Sequence, residues 1–163
     1  MNNNFKFYPE DVTSNKIDIL KLTHTAILPT RGSDDAAGWD LCADLLDVGL
    51  EEIHIAPGQV VKISTGIAIA LPFGTFGGIY ARSGLASKKG LRPANCTGVI
   101  DADYRGAIIV AIRNDSNEFQ TIQHGERIAQ LIVQPFVPID FNEVNELPST
   151  NRGEGGFGST GAM

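Results

Sequence analysis

Cysteine is scarce in this chain, with Cys42 and Cys96 the only two among 163 residues. Two thiols cannot build a disulfide framework, and these lack the CxxC spacing of a zinc or redox site, so both read as ordinary reduced thiols. Histidine is equally sparse. His24, His54 and His124 have no ligand-like spacing, which argues against a histidine metal centre. No apolar run is long enough to span a membrane, and residues 1–12 hold none that would serve as a secretion signal, so a cytosolic or nuclear setting is expected. Positive charge is in deficit: 13 Lys and Arg face 19 Asp and Glu, a net −6 that disfavours broad attraction to nucleic acid. A small polyanionic substrate would need local cations or a metal to hold it. Also missing is any dozen-residue stretch with helical periodicity.

What is present has a period of two. Residues 59–71 read as strand, with a break near Gly66 and a stop at Pro72. Residues 108–112 and 128–133 are further apolar β-runs, and residues 17–22 alternate. Pro and Gly punctuate the intervals at Pro57-Gly58, Gly74, Gly77-Gly78 and Gly106. One helical turn fits residues 84–89. The class is all-β, a compact barrel or a jelly-roll-like sandwich, in a single domain without repeat or linker. Trp39 reads as core, and Lys88-Lys89 as a solvated pair.

Three segments carry candidate chemistry. Residues 80–87 (YARSGLAS) leave a β-run in a small polar turn, where Arg82, the Ser83 hydroxyl and free N–H groups would make an anion site. The plainer reading is a strand exit with a serine cap. Residues 95–106 (NCTGVIDADYRG), if extended, would set Asp101 and Asp103 on one face and Tyr104 on the other. A carboxylate there could take a proton from a water, chiefly by holding it in line with phosphorus, whereas the plainer reading is a solvated acidic hairpin. By composition, residues 151–163 (NRGEGGFGSTGAM) read as a disordered tail. They also hold the inventory of a flap over a phosphorylated planar ligand: glycine amides, a bidentate Arg and a stacking Phe. Residues 36–41 (AAGWDL) and 125–131 (GERIAQL) are weaker alone, the second reading as a hairpin turn with Glu126 and Arg127 exposed.

In this order the five segments resemble the five motifs of the trimeric dUTPase family: AAGWDL at 36–41, RSGLA at 82–86, GVIDADYRG at 98–106, GERIAQL at 125–131 and RGEGGFGSTG at 152–161. Residues 26–33 (AILPTRGS) also match the family's approach to its first motif. The resemblance begins near Ile17. It implies residues 1–16 as an N-terminal extension, 17–148 as a dUTPase-like, jelly-roll-like β-barrel, and 149–163 as a mobile Gly-rich tail. It further implies a homotrimer whose shared active sites hydrolyse dUTP to dUMP and pyrophosphate. Such an enzyme limits uracil incorporation into DNA and supplies dUMP for dTMP synthesis. Neither stable nucleic-acid binding nor a membrane is expected, and a cytoplasmic location is, a nuclear, viral or phage origin being the alternative.

Carried over by position, Asp101 resembles the catalytic base that activates water against the α-phosphorus. Asn95, Gly98, Val99 and the backbone of Ile100 and Ile109 would recognise uracil. Main-chain donors and acceptors would mismatch cytosine, and a tight pocket would exclude thymine. Tyr104 would pack under the deoxyribose, while Arg82, Ser83, Gly84 and Gln130 would hold phosphates. Phe157 would stack on uracil, and Arg152, Gly158, Ser159 and Thr160 would close on the γ-phosphate end. Asp40 matches a position that supports Mg²⁺ through water, the ion itself being held mainly by the triphosphate.

Two positions depart from the family pattern: Trp39 stands where Tyr or Phe is usual, and Ala107 where Glu is frequent. Three rival readings have distinct signatures. A dCTP deaminase on a similar scaffold would release ammonia. A trimeric regulatory protein would bind dUTP without turnover. A purely structural barrel would show no nucleotide-dependent protection of its tail.

Overall fold

A computed structural model describes residues 16–156. In chain order its strands are β1 (Asp18–Lys21), β2 (Thr30–Arg31), β3 (Trp39–Cys42), β4 (Glu52–Ile55), β5 (Val60–Ser64) and β6 (Ile67–Ala70). There follow β7 (Thr75–Tyr80), the helix α1 (Ser83–Lys89), β8 (Leu91–Pro93), β9 (Gly98–Ile100), β10 (Ile109–Asn114), β11 (Gln120–Gln123) and β12 (Arg127–Pro135). All pairings are antiparallel, and the all-β class expected from the period-two runs holds. The strands form four ladders, β1-β6, β5-β10-β8, β11-β4 and β2-β3-β12-β7-β9, rather than one closed sheet among the described residues. No described helix is long and apolar enough to cross a membrane.

Local chemistry explains the breaks. The expected interruption near Gly66 separates β5 from β6, and Gly66 adopts φ +67°, a conformation that glycine takes without steric cost. Beside it, buried Thr65 donates its hydroxyl to the Ile108 carbonyl at 2.8 Å. The helix α1 stops at Gly90, which lies at φ +66° and returns its N–H to the Leu85 carbonyl.

Alternation is clearest in β10, which turns Val110, Ile112 and Asn114 inward. Asn114 is a polar side chain at an inward position, and it is fully satisfied. It donates to the Ile55 and Glu118 carbonyls and accepts from Ser116. Leu41, Ile55, Ile63, Ile67, Leu91, Ile112, Ile122 and Ile128 come from eight different strands and join one core. Each contributes on the order of 1.5–3 kcal/mol by burial, so the separate ladders are welded through side chains rather than through backbone bonds.

Trp39 corrects the sequence expectation. It is 42% exposed, with the Arg31 guanidinium 5.1 Å from its ring centroid. It opens β3 beside the two-residue edge strand β2, which has too few residues to cover it.

Candidate functional site

Register in the largest sheet gathers four of the five segments. Gln130 of β12 faces Asp40 of β3 on one side and Tyr80 of β7 on the other. On the far edge of β7, Gly98 pairs with Ile79 and Ile100 with Gly77. The Gln130 side chain lies over Gly38, where an added Cβ would come within 2.9 Å of its Oε1. The glycine of the first segment thus makes room for the glutamine of the fourth.

Asp40 is 5% exposed and stands between two guanidiniums. Arg82 donates Nε–H to Oδ1 at 2.8 Å, and Arg127 donates Nη1–H to Oδ2 at 3.0 Å. Arg82 also donates Nη1–H to the Arg127 carbonyl at 3.1 Å. Charge-assisted pairing on both oxygens offsets the desolvation of this carboxylate. The neighbouring Cys42 thiol is pushed above its ordinary 9.0 by burial first and by the Asp40 charge second. Both cysteines are free thiols, Cys42 buried and Cys96 exposed.

Arg82 is also the N-cap of α1, so Ser83 and Gly84 open that helix on the exposed side. The expected hairpin turn joins β11 and β12, but Glu126 is half-buried rather than exposed. Glu126 accepts a bond from Lys89 Nζ at 2.6 Å, which also removes Lys89 from the expected solvated pair. Arg127 is exposed yet ionically engaged. Sequence reasoning missed Lys89, Glu126 and Arg127 as partners. The signal available was a charged Glu-Arg pair in the same segment as Gln130, with no indication of where its partners lay.

The third segment is not extended through Tyr104. The β9 ladder ends at Ile100, and the Tyr104 N–H closes a turn onto the Asp101 carbonyl at 3.1 Å. Face alternation therefore does not place Asp101, Asp103 and Tyr104. The turn is held by Arg105, which donates Nη1–H to the Ala102 and Tyr104 carbonyls at 2.6 and 2.9 Å. The Tyr104 ring lies against Gly106, where an added Cβ would sit 2.4 Å from the phenol oxygen, and its hydroxyl donates to the Ala107 carbonyl at 3.1 Å. Asp101 is exposed in an open concavity with Phe73, Phe76, Val99, Asp103 and Phe136. Asn95 lies against buried Gly98, while Val99 and Ile109 are exposed and Ile100 is half-buried.

One chain does not bring all these residues together. Asp40, Arg82, Ser83, Gly84 and Gln130 cluster past the Tyr80 end of β7. Asp101 leaves β9 after Ile100, at the level of Gly77, and the Gly77–Tyr80 stretch between puts about 10 Å of strand between it and them. Arg152 donates to the Gly155 carbonyl of its own segment at 2.7 Å. Phe157, Gly158, Ser159 and Thr160 lie outside the described residues. No group of three or more His, Cys, Asp or Glu side chains is arranged to hold a metal among the described residues.

A family model described as dUTPase matches residues 24–161. Deoxyuridine 5'-triphosphate nucleotidohydrolase of Corynebacterium efficiens is 46% identical over 160 residues, covering 94% of this chain and 85% of that protein. The protein of the same name from Escherichia phage T5 is 46% identical over 145 residues, covering 88% and 97%. In three dimensions a variant of the Staphylococcus bacteriophage 80alpha dUTPase with dUpNHpp superposes with a TM-score of 0.79 at 30% identity, covering 91% of this chain and all of that one. With a family match across most of its length and relatives of nearly half identity, this chain belongs to the dUTPase family.

Proposed function

We propose that this protein hydrolyses dUTP to dUMP and pyrophosphate in the cytoplasm, limiting uracil incorporation into DNA and supplying dUMP for dTMP synthesis. The observation that carries this reading is the ladder β3-β12-β7-β9, whose register sets Asp40, Gln130, Tyr80 and Gly98 on neighbouring strands. Arg82, Ser83, Gly84 and Gln130 act as the phosphate-holding group. Arg82 reaches this role with its orientation fixed by Asp40, which reduces the entropy lost on binding.

Asp101 serves as the base. It holds a water in line with the α-phosphorus and takes its proton as the new P–O bond forms and the bond to the bridging oxygen breaks. Asn95, Gly98, Val99, Ile100 and Ile109 recognise uracil, and Tyr104, locked against Gly106, leaves no space for a 2′-hydroxyl. Exposure of Asp101, Val99 and Ile109 in a single chain fits a site completed by other copies. A base must stand within hydrogen-bond reach of the attacking water, whereas in one chain the Gly77–Tyr80 stretch alone, about 10 Å of strand, lies between the levels at which Asp101 and Arg82 leave the sheet. As the family resemblance implies, the reading is a homotrimer of jelly-roll-like β-barrels in which one copy supplies Asp101, another Arg82, and the Gly-rich tail acts as a lid.

Mg²⁺ belongs to this reading as a cofactor held mainly by the triphosphate and waters. Each Asp40 oxygen accepts one guanidinium bond and keeps further lone-pair directions for a metal-bound water. When bound, the ion offsets phosphate charge that this acidic chain meets with few cations.

The test is product analysis of the purified protein with Mg²⁺ and, separately, dUTP, dCTP, dTTP and UTP. Selective formation of dUMP and pyrophosphate is the expected result. Ammonia release from dCTP, or dUTP binding without turnover, overturns it.

A further inference from the structure

Two adjacent residues at the entry to β12, Glu126 and Arg127, hold the two ends of α1. At the C-terminal end, Lys89 Nζ donates to Glu126 Oε1 at 2.6 Å and to the Thr121 carbonyl at 3.3 Å. Glu126 is itself fixed. Its Oε2 accepts the Gln123 N–H at 3.2 Å, and its carbonyl accepts the Ala43 N–H at 2.9 Å. At the N-terminal end, Arg127 reaches Arg82 by two routes. Its carbonyl accepts the Arg82 Nη1–H directly, and its guanidinium holds the far oxygen of Asp40, whose near oxygen holds Arg82 Nε.

The helix needs such tethers. It has seven residues, buries Leu85 alone, and has no side-chain cap at its start. Helices this short are marginal in isolation, and a single buried leucine fixes neither tilt nor rotation. Polar contacts at both ends therefore decide where Arg82 and Ser83 face. Both contacts come from neighbouring residues of one short turn, so α1 is carried on the β11–β12 turn as a unit. The Asp40 side chain is only 8% exposed, so loss of one guanidinium leaves a desolvated carboxylate under-compensated.

We propose that Glu126 and Arg127 are positioning residues for triphosphate binding, acting through Lys89, Asp40 and Arg82 without touching the substrate. This rests on the phosphate-holding role proposed for Arg82 and Ser83. The experiment measures affinity for two ligands, an α,β-imido analogue of dUTP and 2′-deoxyuridine, which has no phosphate. The proteins are wild type, Arg127→Gln, Arg127→Lys, Glu126→Gln and Lys89→Met, all in the full-length chain.

Arg127→Gln and Glu126→Gln are each expected to weaken the triphosphate analogue about tenfold or more, with deoxyuridine affinity unchanged. Arg127→Lys, which keeps the charge on Asp40, should recover most of the loss, and Lys89→Met should reproduce the Glu126→Gln effect. Equal weakening of both ligands would mark a general structural role and overturn the proposal, as would unchanged analogue affinity in the glutamine variants. If wild type binds the analogue no better than deoxyuridine, the phosphate-site reading itself fails, an outcome distinct from the other two.

Discussion

Asp101 and Arg82 leave the β7–β9 pair in opposite directions: β9 ends at Ile100, opposite Gly77, and releases Asp101 there, whereas β7 ends at Tyr80 and releases Arg82. On the proposed reading, the base and the phosphate-binding guanidinium that act on one phosphorus come from different copies. Chains carrying Asp101→Asn and chains carrying Arg82→Gln should each be inactive alone. Co-assembled in equal amounts, they should recover activity at about a quarter of the sites, those pairing an intact Asp101 with an intact Arg82. Steady-state assay of the mixed trimers against each parent checks this, and absence of recovery would sink site sharing. Arg127 still holds Asp40 in the Arg82→Gln chain, so the sheet should survive the change.

Asp101→Asn keeps size and polarity at an exposed turn position while removing the proton acceptor. The expected loss is about 10²–10⁴-fold in kcat, typical of a positioned general base, with affinity for a non-hydrolysable dUTP analogue little altered. Turnover equal to wild type would remove Asp101 from the role.

Gly66 and Gly58 offer a matched pair for stability. Both have positive φ, +67° and +74°. A Cβ at Gly66 would stand 2.2 Å from Asp44 Oδ2 and 2.7 Å from both Thr23 Oγ1 and Ala26 Cβ, whereas at Gly58 it meets nothing within 4 Å. Gly58→Ala should cost about 1–2 kcal/mol from backbone strain alone. Gly66→Ala adds overpacking and should cost about 2–5 kcal/mol. It also presses on the hydroxyl bonds from Thr23 and Thr25 to buried Asp44. Urea midpoints at equal protein concentration provide the comparison.

Cys42 gives a pH dependence with a definite sign. Its thiol is held above the ordinary 9.0, chiefly by burial, so the native state keeps this proton at a pH where the unfolded chain releases it. Stability should therefore fall as pH rises from 9.0 through the native value, and Cys42→Ala should flatten that slope. Because the thiolate is the nucleophile, iodoacetamide should label Cys96 in the native protein well before Cys42. Mass spectrometry of labelled peptides decides; equal rates would contradict the buried assignment.

Deleting residues 152–163 should cripple hydrolysis while leaving the urea midpoint close to wild type. Arg152 bonds within its own segment, and among the described residues the core lies before it. Full activity in the truncated protein would remove the lid.

Local pattern made much of this protein legible. Alternating apolar runs announced β5, β6, β10 and β12, the break at Gly66 followed from glycine's tolerance of positive φ, and the short helical turn after Arg82 appeared where small residues end a strand. The five segments in order carry the family resemblance in the sequence alone. These signals are short-range, set by side-chain periodicity and backbone freedom within a few residues.

Partners distant in the chain were not legible. Asp40 meets Arg82 across 42 positions and Arg127 across 87, and nothing in either neighbourhood specifies the other. Trp39 read as core because it is large and apolar, but its place beside a two-residue edge strand leaves it half in solvent. Residues 101–104 read as a continuation of strand until the Tyr104 N–H closed a turn onto Asp101. The sequence by itself determined the longer apolar strands, the break at Gly66 and the chemical inventory, because these depend on local sterics and hydrophobic period. Tertiary structure alone decided which carboxylate meets which guanidinium and which end of β7 each functional group occupies, because ladder register and core packing are cooperative over the whole chain.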